Sequence, residues 1–415
     1  MKYYKLNDLC TDIVDCPHTT PDWKNEGIRV VRNFNLKDGN LDFADGYFVD
    51  EATYLERTKR AIPEEGDIII SREAPMGVVG IVPKGLKCCL GQRLVLLKVN
   101  TGKCAPYYLL NTLMSDFVQT QFKRADATGS IVSNLCIPDL KEIIIPVIES
   151  GQKDVARLLE IINKKQLINN AINDNLEQQI LSIYHYLFTQ FDFPDEVGNP
   201  YCSSGGKMLQ NDILKRNIPI TWKVKTLGEL CSFQNGINYD KGIIGDKDYR
   251  IINVRNISSS SILLDENELD IISLPHKKGD KYCVTDDSII IARSGIPGAT
   301  RILFKPTTNT IFCGFIICCT PTDKELQYYL TFYLKLLEGS SATQTGGSIL
   351  QNVSQDTLSS LPVPIPPKML LDEFNQTVLQ TFELIHTNMN ETSQLINLRD
   401  WLLPMLMNGQ ATIND

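Results

Sequence analysis

From Leu6 onward the chain repeats itself in fixed register, and any fold it adopts must accommodate that duplication. Leu6-Asn-Asp-Leu-Cys10 answers Leu227-Gly-Glu-Leu-Cys231, Asp67-Ile-Ile-Ile-Ser-Arg72 answers Ser288-Ile-Ile-Ile-Ala-Arg293, and Tyr107-Tyr108 answers Tyr328-Tyr329, all at an offset of 221 residues. After a three-residue slip the match resumes at an offset of 218, with Gly129-Ser130-Ile131 against Gly347-Ser348-Ile349, Asn134 against Asn352 and Pro146 against Pro364. A duplication with one insertion or deletion accounts for this; chance does not. Two similar halves imply two similar surfaces.

At 415 residues the chain has enough sequence for two cores of roughly 150 residues each. Ile68-Ile-Ile70, Leu94-Val-Leu-Leu97, Ile289-Ile-Ile291 and Ile311-Phe312 read as buried strands, being short, often β-branched and bounded by turn residues. Residues 106–123 and 325–338 read as helices. Both halves are therefore expected to be mixed α and β.

Each half closes on a long polar helix with an apolar stripe. In the first, Leu158, Ile162, Ile172, Leu176, Ile180 and Leu187 recur at near-helical spacing; in the second, Phe374, Val378, Ile385, Met389 and Ile396 do the same. A helix from Gln152 to Leu187 would be ~54 Å long at ~1.5 Å per residue, more than one small domain can cover. Such a stripe must find another helix, and the other copy supplies a match. The expected fold class is α+β: two pseudo-twofold-related mixed α/β domains separated by an antiparallel pair of long coiled-coil helices. The alternative is that each helix packs on its own domain. The Pro-, Gly- and Ser-containing stretch 191–222 reads as an irregular connector.

Motifs for catalysis are missing. Ser204-Gly-Gly-Lys207 lacks the upstream glycine of a phosphate-binding loop and has Met208 where a hydroxyl belongs. Asn199-Pro200-Tyr201 lacks the second proline of an amino-methyltransferase motif. His18, His185, His276 and His386 lie far apart, no Cys-x-x-Cys pair exists, and no metal ligands are assigned. The twelve cysteines lie largely in apolar strands and read as free thiols of a reducing cytoplasm. No apolar run approaches the roughly 20 residues of a membrane helix, and the N-terminus carries no apolar signal core, so a soluble cytoplasmic protein is expected. The net charge of −8 argues against a broadly basic nucleic-acid-binding surface. Any contact with DNA must come from local loops or be helped by a partner.

The polar residues that recur are more informative. Arg29-Val-Val-Arg-Asn-Phe-Asn35 aligns with Arg250-Ile-Ile-Asn-Val-Arg-Asn256, which matches Arg29 to Arg250, Arg32 to Asn253 and Asn35 to Asn256, while Phe34 faces Arg255. Arg72 matches Arg293 at the end of the apolar strands. Arg and Asn are the side chains that reading guanine and adenine in the major groove requires. They equally suit tying loops to a sheet. The Gly-Ser segments that follow a helix in each copy, with Lys123, Arg124 and Ser130 in one and Gln344 and Ser348 in the other, suit phosphate contact or an ordinary helix exit.

These segments in this order resemble the specificity subunits of type I restriction-modification systems. The likeness covers almost the whole chain: paired strand-Arg-loop segments, Gly-Ser followed by Asn134 to Pro146 and Asn352 to Pro364, the long helices, and a linker running through Phe193-Pro, Asn199-Pro-Tyr201 and Gly205-Gly-Lys-Met208 to Trp222. Asp15-Cys-Pro-His-Thr-Thr-Pro21 also resembles a loop of some target-recognition domains. The resemblance implies target-recognition domains at 1–150 and 223–367, conserved helices at 151–190 and 368–410, and a connector at 191–222. Each domain would read one half of a bipartite, asymmetric site in double-stranded DNA through Arg29, Arg32, Asn35, Arg72, Lys123, Arg124, Ser130 and their counterparts. The helices would set the spacer and dock two methyltransferase subunits, with two restriction subunits as further partners. No cofactor is expected on this chain; S-adenosylmethionine, ATP and magnesium would sit on the partners, which carry out adenine methylation and ATP-dependent cleavage. Two other readings stay open: a stand-alone DNA-modifying enzyme, and an interaction scaffold without nucleic acid.

Overall fold

The computed structural model describes residues 1–43, 46–73, 75–126, 134–148, 150–239, 245–258, 261–338 and 353–407. It is an α+β protein whose duplication extends to strand order. In the first copy a four-stranded antiparallel sheet runs Cys10–Asp15, Leu94–Val99, Ile68–Ser71, Val79–Ile81. In the second the order is Cys231–Asn235, Ile316–Pro321, Ile289–Ala292, Thr300–Ile302. The predicted runs Ile68 to Ile70, Leu94 to Leu97 and Ile289 to Ile291 lie at their centres, buried on both faces as near-continuous apolar strands should be, whereas Ile311-Phe312 lies at the edge of a separate sheet.

A second sheet also recurs. Ile28–Val31 pairs antiparallel with Phe48–Val49 and parallel with Cys88–Leu90; Lys247–Ile252 pairs antiparallel with Asp270–Leu274 and parallel with Thr310–Phe312. A two-stranded ribbon closes each copy, Lys2–Lys5 with Ile144–Val147 and Lys223–Thr226 with Pro362–Ile365. The segment expected as one helix over 106–123 is two, Pro106–Met114 and Asp116–Asp126. Ser115 breaks it by adopting extended backbone, and its carbonyl then accepts the amides of Val118 and Gln119.

The long helices are α1, Gln152–Tyr184, continued by a single π turn at His185–Thr189, and α2, Lys368–Met407. The chain divides into two compact units, residues 1–168 with 394–415 and residues 169–393, so the division falls inside both helices. Within each unit the helices pack against each other and on the mixed domain, so the two alternatives for their packing are not exclusive. In the first unit Val155, Ala156 and Leu159 share a core with Leu403 and Leu406; in the second, Ile180 and Tyr184 share one with Phe374, Val378, Phe382 and Ile385. Within the second unit Asn169 meets Thr392 and Tyr184 meets Phe374, so the helices pair antiparallel there.

The seam departs from the expected stripe. Ile172 is 39% exposed and Leu158 only half-buried, whereas Asn163, Gln166 and Asn169 are buried. The buried positions of α1 run Val155, Leu159, Ile162, Gln166, Asn169 at steps of three or four, so helical phase carries polar residues into the seam and turns Ile168 and Ile172 outward. Ile162, Ile180, Phe374, Val378 and Ile385 are buried as expected, while Leu176, Leu187 and Met389 pack against that core and Ile396 is half-buried.

The connector is more ordered than its composition suggests. Met208–Asn211 and Arg216–Pro219 form a hairpin, Phe193 stacks on both Tyr201 and Trp222, with Phe193 and Tyr201 ring centroids 4.8 Å apart, and Phe191 meets Trp222 edge-on. Nine of the twelve cysteines are buried free thiols. Among the described residues no helix is long and apolar enough to cross a membrane.

Candidate nucleic-acid interface

The turn after the strand Ile28–Val31 is built the same way in both copies. In the first, the Arg32 amide donates to Asn35 Oδ1 at 2.8 Å and Asn35 Nδ2 donates to the Asp42 carbonyl at 2.7 Å. In the second, the Asn253 amide donates to Asn256 Oδ1 at 2.9 Å, and Asn256 Nδ2 reaches the Glu268 carbonyl at 3.4 Å. Asn35 is 2% exposed and its amide is spent on backbone, so the structure uses it to close the turn and not to face a ligand. The recurrence of this Asn reflects a shared fold.

What the turn displays differs between the copies. Arg32 lies over the rings of Tyr47, Phe34 and Trp23, at 4.5, 4.9 and 5.5 Å from their centroids. Arg29, opposite Phe48 in the strand pair, lies 5.5 Å from that ring and 4.9 Å from Phe43. Such spacings are cation–π contacts, which hold a guanidinium through its face. In the second copy Arg255 pairs with Asp270, which also accepts from Asn253 Nδ2 at 3.2 Å. Arg250 sits half-buried on its strand opposite Ile271, with no ring beside it in the register. Trp23 and Tyr47 escaped the sequence reading because neither has an aromatic counterpart in the other copy.

Arg72 and Arg293 also part company. Arg72 donates from Nη1 to both Asp15 oxygens at 3.0 Å, from Nε to the Leu135 carbonyl at 3.0 Å and from Nη2 to Asn134 Oδ1 at 3.3 Å. It ties the Asp15 strand to the segment entering the last ribbon. The position equivalent to Asp15 is Gly236, so Arg293 has no carboxylate there and reaches the Gly314 carbonyl at 3.5 Å. Lys123 and Arg124 are exposed in the last turn of their helix. Ser130, Gln344 and Ser348 lie outside the described residues. Among the described residues no group of three or more His, Cys, Asp or Glu side chains gathers to hold a metal.

Two copies of one fold, displaying different polar and aromatic residues from the same turn, define a two-domain recognition protein. The chain belongs to the family of the type I restriction modification DNA specificity domain, which matches residues 1–178 and 219–397. It is 24% identical over 374 residues to the type I restriction enzyme MjaIX specificity subunit of Methanocaldococcus jannaschii, covering 88% of this chain and 82% of that one. It is likewise 24% identical over 414 residues to the type I restriction enzyme HindI specificity subunit of Haemophilus influenzae, covering 85% and 88%. In fold it is similar to the crystal structure of a type I restriction-modification S subunit from M. genitalium, with a TM-score of 0.52 at 18% identity over 97% of this chain and 94% of that one.

Proposed function

We propose that this chain is the non-catalytic subunit that gives a type I restriction-modification complex its DNA sequence specificity. Its two mixed domains, residues 1–150 and 223–367, each read one half of a bipartite, asymmetric site in double-stranded DNA. The observation that carries this reading is the strand-for-strand duplication together with divergence at the turn after the recurring strand. One frame presenting two different sets of side chains suits two different half-sites.

In this reading the helices set the spacer and dock two adenine methyltransferase subunits. Ile161, Ile168 and Ile172 lie exposed along α1, and Leu398 and Trp401 along α2, which leaves apolar helix surface for such partners. Methylation with S-adenosylmethionine, base flipping and ATP- and magnesium-dependent cleavage belong to the partners. The acidic charge of this chain is compatible with that division, since phosphate attraction can be supplied by another subunit while base contacts decide sequence.

The test is a titration of target duplex at fixed salt, with the chain alone and with its modification subunit. The complex should bind tightly and with sequence preference, the isolated chain weakly. Equal affinity in both arms, or methylation or cutting by the chain alone, would overturn the reading.

A further inference from the structure

We propose that Arg32, framed by Trp23, Phe34 and Tyr47, is the surface of the first domain that reads a base edge, guanine in the major groove, with the exposed rings covering an adjacent base. This rests on the reading that the chain recognises a split DNA site, and it says where in the first half the recognition occurs.

Rigid display is the first argument. Asn35 closes the turn beneath Arg32, and Asn33 Nδ2 anchors its far side on the Glu73 carbonyl at 2.6 Å. Arg32 and Phe34 therefore project from a one-turn helix whose backbone is held at both ends.

Unspent donors are the second. Arg72, Arg93 and Arg255 are all paired with carboxylates. Among the described residues Arg32 has no carboxylate partner; its three neighbours are rings. Stacking occupies the face of a guanidinium and leaves the in-plane N–H fork, the part that matches O6 and N7 of guanine, to donate outward. Little side-chain entropy then remains to be lost on binding.

Exposed apolar surface is the third. Phe34 is 49% and Trp23 39% exposed beside this cation. An arginine serving a phosphate needs no such rim, whereas a base plane or a thymine methyl offers the rings an apolar contact. In the second domain the same turn offers Asn253 and Arg255, with Asp270 of the neighbouring strand beside them, a different pattern of donors and acceptors for a different half-site.

The experiment uses the chain in complex with its modification subunit, with methylated adenines mapped genome-wide and affinity measured on target duplexes carrying single base changes. Arg32→Lys keeps the charge but loses the fork. It should lower discrimination at one position of one half-site by roughly tenfold to a hundredfold, leaving the other half-site and the salt dependence unchanged. Phe34→Ala should relax an adjacent position of that half-site without moving the melting temperature, and Arg255→Ala should alter only the other half-site. Unchanged discrimination in both Arg32→Lys and Phe34→Ala overturns the proposal while the specificity-subunit reading stands. So does loss of subunit assembly in either variant, which would make the patch a protein-docking surface. A wild-type complex without sequence preference overturns the underlying reading instead.

Discussion

The phenol of Tyr108 donates to the carbonyl of Pro146 at 3.0 Å, and the phenol of Tyr329 makes the same contact with the carbonyl of Pro364. The tyrosines are 221 residues apart and the prolines 218, so the slip between the copies falls between the two partners and the contact survives it. The closing strand is held in register from its other side, Pro146 opposite Tyr3 and Pro364 opposite Val224. Both tyrosines are fully buried, and burial pushes the Tyr108 phenol up to about 12. Tyr108→Phe and Tyr329→Phe should each cost about 1 kcal/mol, the net worth of a buried hydrogen bond, read as a lower denaturant midpoint at unchanged slope. Midpoints equal to wild type would show that the hydroxyls contribute nothing.

Arg72 and Arg293 occupy equivalent positions with unequal partners, and their substitutions should separate accordingly. Arg72→Ala removes the guanidinium from Asp15, which keeps its contact with His18, and leaves the Leu135 carbonyl without its donor, a loss of about 1–3 kcal/mol. Among the described residues Arg293→Ala removes only a long contact to Gly314, and it should stay within about 0.5 kcal/mol. Chemical unfolding of the two variants checks this. An Arg72→Ala chain as stable as wild type but altered in sequence preference would place that guanidinium on DNA instead.

The strands were legible because apolar runs such as Ile289 to Ile291 satisfy a strand's burial requirement without help from distant sequence. The pairing of the long helices was legible from their length and stripe, but the seam was not. The apolar stripe leads from Ile162 to Ile172, while strict helical phase leads through Gln166 and Asn169, and only the facing helix decides which side is covered. In the candidate interface, recurrence proved to mark shared construction, as Asn35 and Asn256 show. The residues that differ, Arg32 against Asn253 and Phe34 against Arg255, are the ones displayed on the surface.

Glu177 of α1 is half-buried, accepting the Ser261 hydroxyl at 2.6 Å and the Ile262 amide at 3.1 Å. Burial raises its carboxyl above the usual range despite these donors and the nearby Lys335. The folded state then holds its proton more tightly than the unfolded chain, so the group's contribution to stability is fully present below about pH 4.5 and declines as pH rises through the folded pKa. Glu177→Gln removes that dependence. The melting temperature of the variant relative to wild type should therefore rise between about pH 4 and pH 7, and a constant difference would count against the assignment.

Asn169 is fully buried, and its Nδ2 donates to Glu391 Oε2 at 2.8 Å and Thr392 Oγ1 at 3.3 Å, while Asn388 Nδ2 bonds Asn173 Oδ1 at 2.8 Å. Among the described residues Asn169 Oδ1 is buried without a partner, and a buried amide whose Nδ2 meets its acceptors at one register only is a device for fixing helix alignment at some cost in stability. Asn169→Leu should leave stability equal or higher and loosen the register. Disulfide trapping between cysteines placed at 173 and 388 should then fall in yield while pairs one turn away gain. Unaltered trapping in the variant would remove the register role.

In the function proposed above the helix pair sets the spacer between half-sites, and the length of that spacer measures it directly. Seven residues inserted between Ala171 and Leu181 add two turns, about 10 Å of helix, and keep the buried face in phase. Because α1 and α2 pair antiparallel, with Asn169 facing Thr392 and Tyr184 facing Phe374, an insertion in α1 alone would strip every later residue of its partner. The compensating seven residues belong between Val378 and Met389. The doubly inserted chain should fold and, with its modification subunit, methylate the same two half-sites with a spacer about three base pairs longer, since DNA rises about 3.4 Å per pair. The single insertions should assemble poorly. Mapping methylated adenines reads the spacer directly, and an unchanged spacer in a folded double insertion would show that something other than the helix pair sets the distance.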